Sequence, residues 1–160
     1  KDFEPLYIQR IAQLTNKSNQ FNLTTLRCSE DDIRAMAGDK NDLCLCGKLV
    51  DKFGDNGIVT VVAGRQQGDV LDLTLWLMSC RVLKRGMEDA MMDTVVAEAA
   101  ARGVKTIVGH YYPTAKNAMV REFYAQYDFA KTAEDADGNT EWTLDVAAYT
   151  PKHPHMKIER

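Results

Sequence analysis

No stretch of this chain holds the ~20 consecutive apolar residues that a helix needs to cross a bilayer, and nothing at its start resembles a secretory leader. Neither membrane insertion nor export is expected. An excess of positive charge is missing too. Twenty Lys and Arg stand against 23 Asp and Glu, a net charge of −3. General attraction to nucleic acid is therefore excluded, and any polyanion site must be a local cluster. Cysteine is scarce, with four residues (Cys28, Cys44, Cys46 and Cys80), read as reduced thiols in a cytoplasm because a core-rich domain needs no disulfide staples. Cys44-x-Cys46 lacks a second pair, and His153 and His155 lie in a polar tail, so no metal site is expected. A Walker loop, a Ser-His-Asp order and a paired-glycine dinucleotide fingerprint are all absent. The opening Lys1-Asp2-Phe3 has no methionine, and the chain is read as a piece of something longer.

What is present is a core. Hydrophobic residues make up 45% of the 160 positions, enough for one domain. No repeat or linker divides the chain, so 1–150 is read as a single domain and 151–160 as a loosely held polar tail. The spacing of Leu6, Ile8, Ile11 and Leu14 predicts a helix over 4–15. Ser29 with Glu30, Asp31 and Asp32 predicts an N-cap, with its helix ending at Gly38. Strands are predicted at 42–51, 57–66 and 70–80, the first two joined by a turn at Phe53–Gly57. Then come a helix at 87–102, a strand at 104–110, a helix at 114–126 and two strands near 129–133 and 140–147. The crossover between 70 and 110 is long enough to make those two strands parallel. The fold class is therefore α/β, with a mixed, mostly antiparallel sheet, one parallel strand pair and flanking helices.

The segment Ser79-Cys80-Arg81-Val82-Leu83-Lys84-Arg85-Gly86 leaves a strand and enters a helix. Free N–H groups at a helix start and three nearby cations favour an anion, and phosphate or pyrophosphate is the natural guest. Gly86 allows close approach of backbone and ligand. Cys80, beside Arg81 and the helix start, has its thiolate favoured and is the candidate nucleophile. His110 ends the neighbouring strand and is the candidate base.

These residues carry a resemblance. Arg81 to Gly86 resembles the acyl-CoA loop of GNAT acyltransferases, with Lys84 where a glycine is usual. Asn117, Tyr124 and Phe129 fit a second GNAT segment, with Asp128 where glycine is usual. Further blocks, Asn19-Gln20-Phe21-Asn22, Ser79-Cys80-Arg81 and Pro113-Thr114-Ala115-Lys116-Asn117, resemble the C-terminal part of FkbH-type, HAD-like proteins of polyketide pathways. That resemblance implies a splayed parallel strand pair and a glyceryl thioester passed to an acyl carrier protein. It implies phosphopantetheine or coenzyme A as the acyl carrier, with no tightly bound cofactor. It also implies an N-terminal HAD-like phosphatase domain, because this chain has no Asp-x-Asp-x-Thr/Val motif of its own. Residues 81–86 and Asn117 are then expected to bind the carrier arm. Tyr124 is expected to protonate the leaving thiolate, and Asn19, Gln20 and Asn22 to bind the glyceryl hydroxyls. Two alternatives stand beside this reading. One is an acetyl-CoA-dependent N-acetyltransferase with Asp72 as its base; the other is a non-catalytic carrier-protein docking module.

Overall fold

The computed structural model describes residues 1–52, 54–79, 86–152 and 158. Among these, the elements run α1 (Ile8–Lys17), α2 (Glu30–Gly38), β1 (Asp42–Asp51), β2 (Gly54–Gln67), β3 (Val70–Met78), α3 (Met87–Ala101), β4 (Thr106–Tyr111), β5 (Ala130–Glu134) and β6 (Thr140–Asp145). The strands form one sheet in the order β1-β2-β3-β4-β6-β5. Only β3 and β4 run parallel, as the length of the α3 crossover requires. A mixed α/β sheet with one parallel pair is the expected fold class.

Local chemistry explains most boundaries. Ser29 and Asp32 form a reciprocal capping box at the start of α2. The β1–β2 hairpin is tighter than the predicted Phe53–Gly57 turn: pairing continues to Asp51 opposite Gly54, and register shifts near Lys48 absorb the difference.

The predicted helix at 114–126 is corrected. Two short 3-10 turns, Ala118–Val120 and Tyr124–Tyr127, stand in its place. After Pro113, side-chain bonds hold the turn that leads into the first of them. Asn117 Oδ1 accepts from Thr114 N at 2.7 Å, while Thr114 Oγ1 accepts from Lys116 N and Asn117 N at 3.2 Å each. The start of the tail is also better held than expected. Lys152 N donates to both carboxylate oxygens of Asp93 on α3, at 2.9 and 3.1 Å.

Two apolar layers cover the sheet. α3 and the 118–129 segment share one with Leu43, Leu45, Leu71, Leu73, Trp76 and Met78. The other joins α1 and α2 to Cys46, Val61, Leu75 and Leu77. β3 switches parity between them at Thr74. Leu73 pairs with Gly64 and Leu75 with Ala63, leaving Thr74 as an extra residue. This bulge keeps Leu71 and Leu73 on the α3 face and then turns Trp76 and Met78 to that same face.

Candidate active site at the strand fork

β3 and β4 pair at only three positions, Val70 with Thr106, Leu71 with Ile107 and Asp72 with Val108. Beyond Asp72 the two strands part, giving the splayed pair that the sequence led us to expect. The opening is not an empty slot. Residues 21–24 enter it and pair with the free edge of β3: Met78 N donates to Phe21 O at 3.0 Å and Leu23 N to Trp76 O at 3.0 Å. On the β4 side, Tyr112 N donates to Leu23 O at 2.8 Å. Thr24 Oγ1 adds a bond to Thr74 O at 2.8 Å. A short piece of the chain's own backbone thus fills the fork.

This filling changes the role of two amides. Asn117 is fully buried. Its Nδ2 donates to Asn22 O at 3.0 Å and to Tyr112 O at 2.9 Å. Its Oδ1 accepts from Thr114 N at 2.7 Å and from the Tyr111 phenol at 3.3 Å. Two donors and two acceptors exhaust an amide side chain, so Asn117 has no capacity left for a carrier arm. Asn22 is equally buried, with Nδ2 donating to Ser18 O and Oδ1 accepting from Thr25 N. Asn19 Oδ1 accepts from Arg27 at 2.6 Å, and Gln20 is exposed. The expected set of glyceryl-binding amides is thus corrected for Asn22, which holds loop structure.

Two groups with proton-transfer chemistry flank the fork on opposite faces. On one, His110 Nε2 lies 2.6 Å from Asp72 Oδ1. A carboxylate accepts, so the hydrogen of this bond sits on Nε2, and in the neutral ring Nδ1 then carries the lone pair. Asp72 and His110 meet because Asp72 is level with Val108, and residues two apart on a strand share a face. On the other face, Tyr124 packs against Gly109, where an added Cβ would stand 2.5 Å from the phenol Cζ. Burial, reinforced by the Asp72 carboxylate, pushes the Tyr124 phenol well above its ordinary value. It keeps its proton at neutral pH, and the same push makes it a weaker acid.

The His110 face is open. A groove of about 240 Å³ is lined by His110, Tyr112, Glu134, Asp135, Asn139 and Glu141. Among the described residues, no group of three or more His, Cys, Asp or Glu side chains is placed to hold a metal ion.

Cys80 and Arg81, Val82, Leu83, Lys84 and Arg85 lie outside the described residues. Gly86 lies within them, at φ 83 and at the N-cap of α3, where no side chain caps the helix. The left-handed conformation explains why glycine stands at this position. The acids of the first turn are Glu88 and Asp89; Asp89 is turned aside to accept from the Tyr127 phenol at 2.6 Å.

By sequence, no family model and no curated protein matches the chain. Solved structures do. The ribosomal-protein-S18-alanine N-acetyltransferase from Escherichia coli is 14% identical over 91% of this chain and 92% of its own, with a TM-score of 0.68. The GNAT domain of S. lividans PAT is 15% identical over 91% and 88%, with a TM-score of 0.69. Spermidine N-acetyltransferase from Vibrio cholerae, in complex with CoA and spermine, is 9% identical over 92% and 94%, with a TM-score of 0.69. The fold is the GNAT fold. At these identities the likeness is one of architecture, and the chemistry has to come from the residues of this chain.

Sequence reasoning singled out His110, Tyr124 and Gly86 within this GNAT fold. It weighed Asp72 only as a lone base and missed its contact with His110. It also missed Gly109, although a glycine between Val108 and His110 in a strand signals close approach of another group.

Proposed function

We propose that the chain is an acyltransferase domain that accepts a glyceryl or related small acyl group as a thioester and passes it to the pantetheine thiol of an acyl carrier protein. A HAD-like phosphatase domain would supply the phosphoryl chemistry. The observation that carries this reading is the meeting of separate sequence blocks at one place. Asn117, of the Pro113–Asn117 block, bonds Asn22, of the Asn19–Asn22 block. Asn22 bridges to Leu77, just before the Ser79-Cys80-Arg81 block. Two of the blocks that resemble FkbH-type proteins therefore meet at the fork, beside the strand that leads to the third.

In this reading the Cys80 thiolate attacks the thioester carbonyl and expels the donor thiolate, which takes its proton from Tyr124. The carrier thiol, giving its proton to His110 as Asp72 holds the ring, then attacks the acyl-Cys80 thioester and expels the Cys80 thiolate, and the proton on His110 returns through solvent to the Tyr124 phenolate. Arg81, Lys84, Arg85 and the uncapped start of α3 at Gly86 would hold the pantetheine phosphate. Trp76 O and Met78 N are already paired with residues 23 and 21, so the arm finds no free partner at those two atoms.

A second reading has its own support. Glu134, Asp135 and Glu141 line the groove beside His110, an acidic rim that suits a cationic amine acceptor, and the similar solved structures include N-acetyltransferases. Intact-mass analysis after incubation with glyceryl and acetyl thioesters separates the two. A glyceryl adduct lost in Cys80→Ala supports carrier transfer. Acetylation of an amine with no adduct supports the second reading. Carrier-protein binding without either reduces the chain to a docking module.

A further inference from the structure

Among the described residues, one buried side-chain nitrogen or oxygen has no hydrogen-bond partner, the indole Nε1 of Trp76. Trp76 is 1% exposed, so bulk water does not reach it. The protein does satisfy its other indole: Trp142 Nε1 donates to Thr140 Oγ1 at 2.9 Å. Other buried polar side chains, Asn22, Asn117, Thr15 and Thr60, are all bonded. An orphaned buried donor carries the full desolvation penalty of its group, and in a native structure it calls for a reason.

Its position supplies one. The bulge at Thr74 turns Trp76 to the α3 face, where its ring centre lies 5.1 Å from Phe123 and 6.4 Å from Tyr124. Tyr124 in turn lies against Gly109 of β4. The two side chains therefore span the fork from β3 to β4. Phe123 can offer the indole no more than a weak N–H···π contact. Indole is a donor only, and its surroundings are aromatic, so the matching partner is an uncharged oxygen acceptor that arrives without water.

We infer that Trp76 Nε1–H is a binding donor for the carbonyl oxygen of the acyl group, an assignment that rests on the thioester reading above. As sulfur adds to the carbonyl carbon, the C=O electron pair moves to that oxygen and the N–H···O hydrogen bond strengthens. Collapse restores the C=O and expels the departing sulfur. Tyr124, its neighbour, stands where that sulfur would be protonated.

The test removes the N–H and keeps the shape, by placing 3-benzothienylalanine at position 76 alone. The probes are S-acetonyl phosphopantetheine, which keeps the carbonyl, and S-ethyl phosphopantetheine, which lacks it, each presented as the CoA form and on an acyl carrier protein. The expected result is a variant at least as thermally stable as the parent. It binds the acetonyl probe about tenfold more weakly and the ethyl probe equally well. Equal affinity for the acetonyl probe overturns the assignment, as does an equal loss for both probes. A drop in stability with binding intact shows an internal partner and also overturns it. A parent protein that binds neither probe in either form removes the thioester reading itself, and this assignment with it.

Discussion

The side-chain amide of Asn117 reaches 95 positions back along the chain to the main-chain carbonyl of Asn22, 3.0 Å away. With its bonds to Tyr112, Thr114 and Tyr111, it locks residues 21–24 into the fork between β3 and β4. Asn117→Ala strands two carbonyls, an N–H and a phenol in a buried site. A loss of about 2–4 kcal/mol is expected, read as a shift in the denaturant midpoint. Asn117→Asp removes the two donors and keeps an acceptor, so it should also destabilise. A change below about 0.5 kcal/mol in both, the range of ordinary surface substitutions, would show that the fork closes without this residue.

Gly109 and Tyr124 form the second such contact. A methyl at 109 meets the phenol ring at 2.5 to 2.8 Å, and the ring, 2% exposed, has no open space to enter. Gly109→Ala is expected to cost about 1–3 kcal/mol through overpacking. It should also depress thioester turnover by displacing the phenol. Tyr124→Phe keeps the packing and removes the proton donor, so it should reduce turnover with little change in stability. Should Gly109→Ala retain both full stability and full turnover, the close packing of Tyr124 on β4 is wrong.

Much of this architecture was legible in the residues. The N-cap at Ser29, the strand hairpins and the long crossover behind the parallel pair all rest on local chemistry, which a sequence displays directly. The 114–126 segment reads as a helix because its apolar spacing is helical, whereas the structure breaks it into two short 3-10 turns. Asn117 is buried there by bonds to Asn22 and Tyr112, contacts that spacing does not display. Asp128 is a partial success. The position was noted as one where glycine is usual, and its φ of 71 shows the glycine-like backbone. The filling of the fork by residues 21–24 had no local signal at all, since it depends on pairing between segments more than fifty residues apart. The Asp72–His110 contact was within reach, because it follows from the register of two parallel strands.

The thiols give a pH-dependent prediction. Burial pushes Cys46 up to about 11 and Cys44 up to about 12, and it raises Cys28 as well. All three remain protonated and slow toward iodoacetamide near neutral pH. Rapid alkylation at pH 7.5, mapped by peptide mass, is therefore expected at Cys80; labelling of Cys28, Cys44 and Cys46 at the same rate would contradict it. For stability the sign follows from proton counting. Above the ordinary thiol value of 9.0 the unfolded chain gives up protons that the fold retains. The contribution of these thiols is thus complete below about pH 9 and lost as pH rises towards 11 to 12. Denaturant midpoints should fall across that window, and less steeply when Cys44 is replaced by alanine.

The Asp72–His110 pair decides which residue takes the proton. Asp72 is about half exposed at its side chain, so breaking the pair should change stability by less than about 1 kcal/mol. In the proposed reaction its value is in orientation, since the carboxylate accepts from Nε2 and leaves Nδ1 of the neutral ring as the base. His110→Gln is therefore expected to lower kcat/KM for the thioester by about 10²- to 10⁴-fold, the usual worth of a positioned base. Asp72→Asn should cost less, and the double variant should be no worse than His110→Gln alone, because the two act as one unit. If Asp72→Asn is instead the more damaging change and its loss adds to that of His110→Gln, the carboxylate is the base and the imidazole its support. Steady-state rates of the three variants, taken with denaturation curves to exclude misfolding, separate the two arrangements.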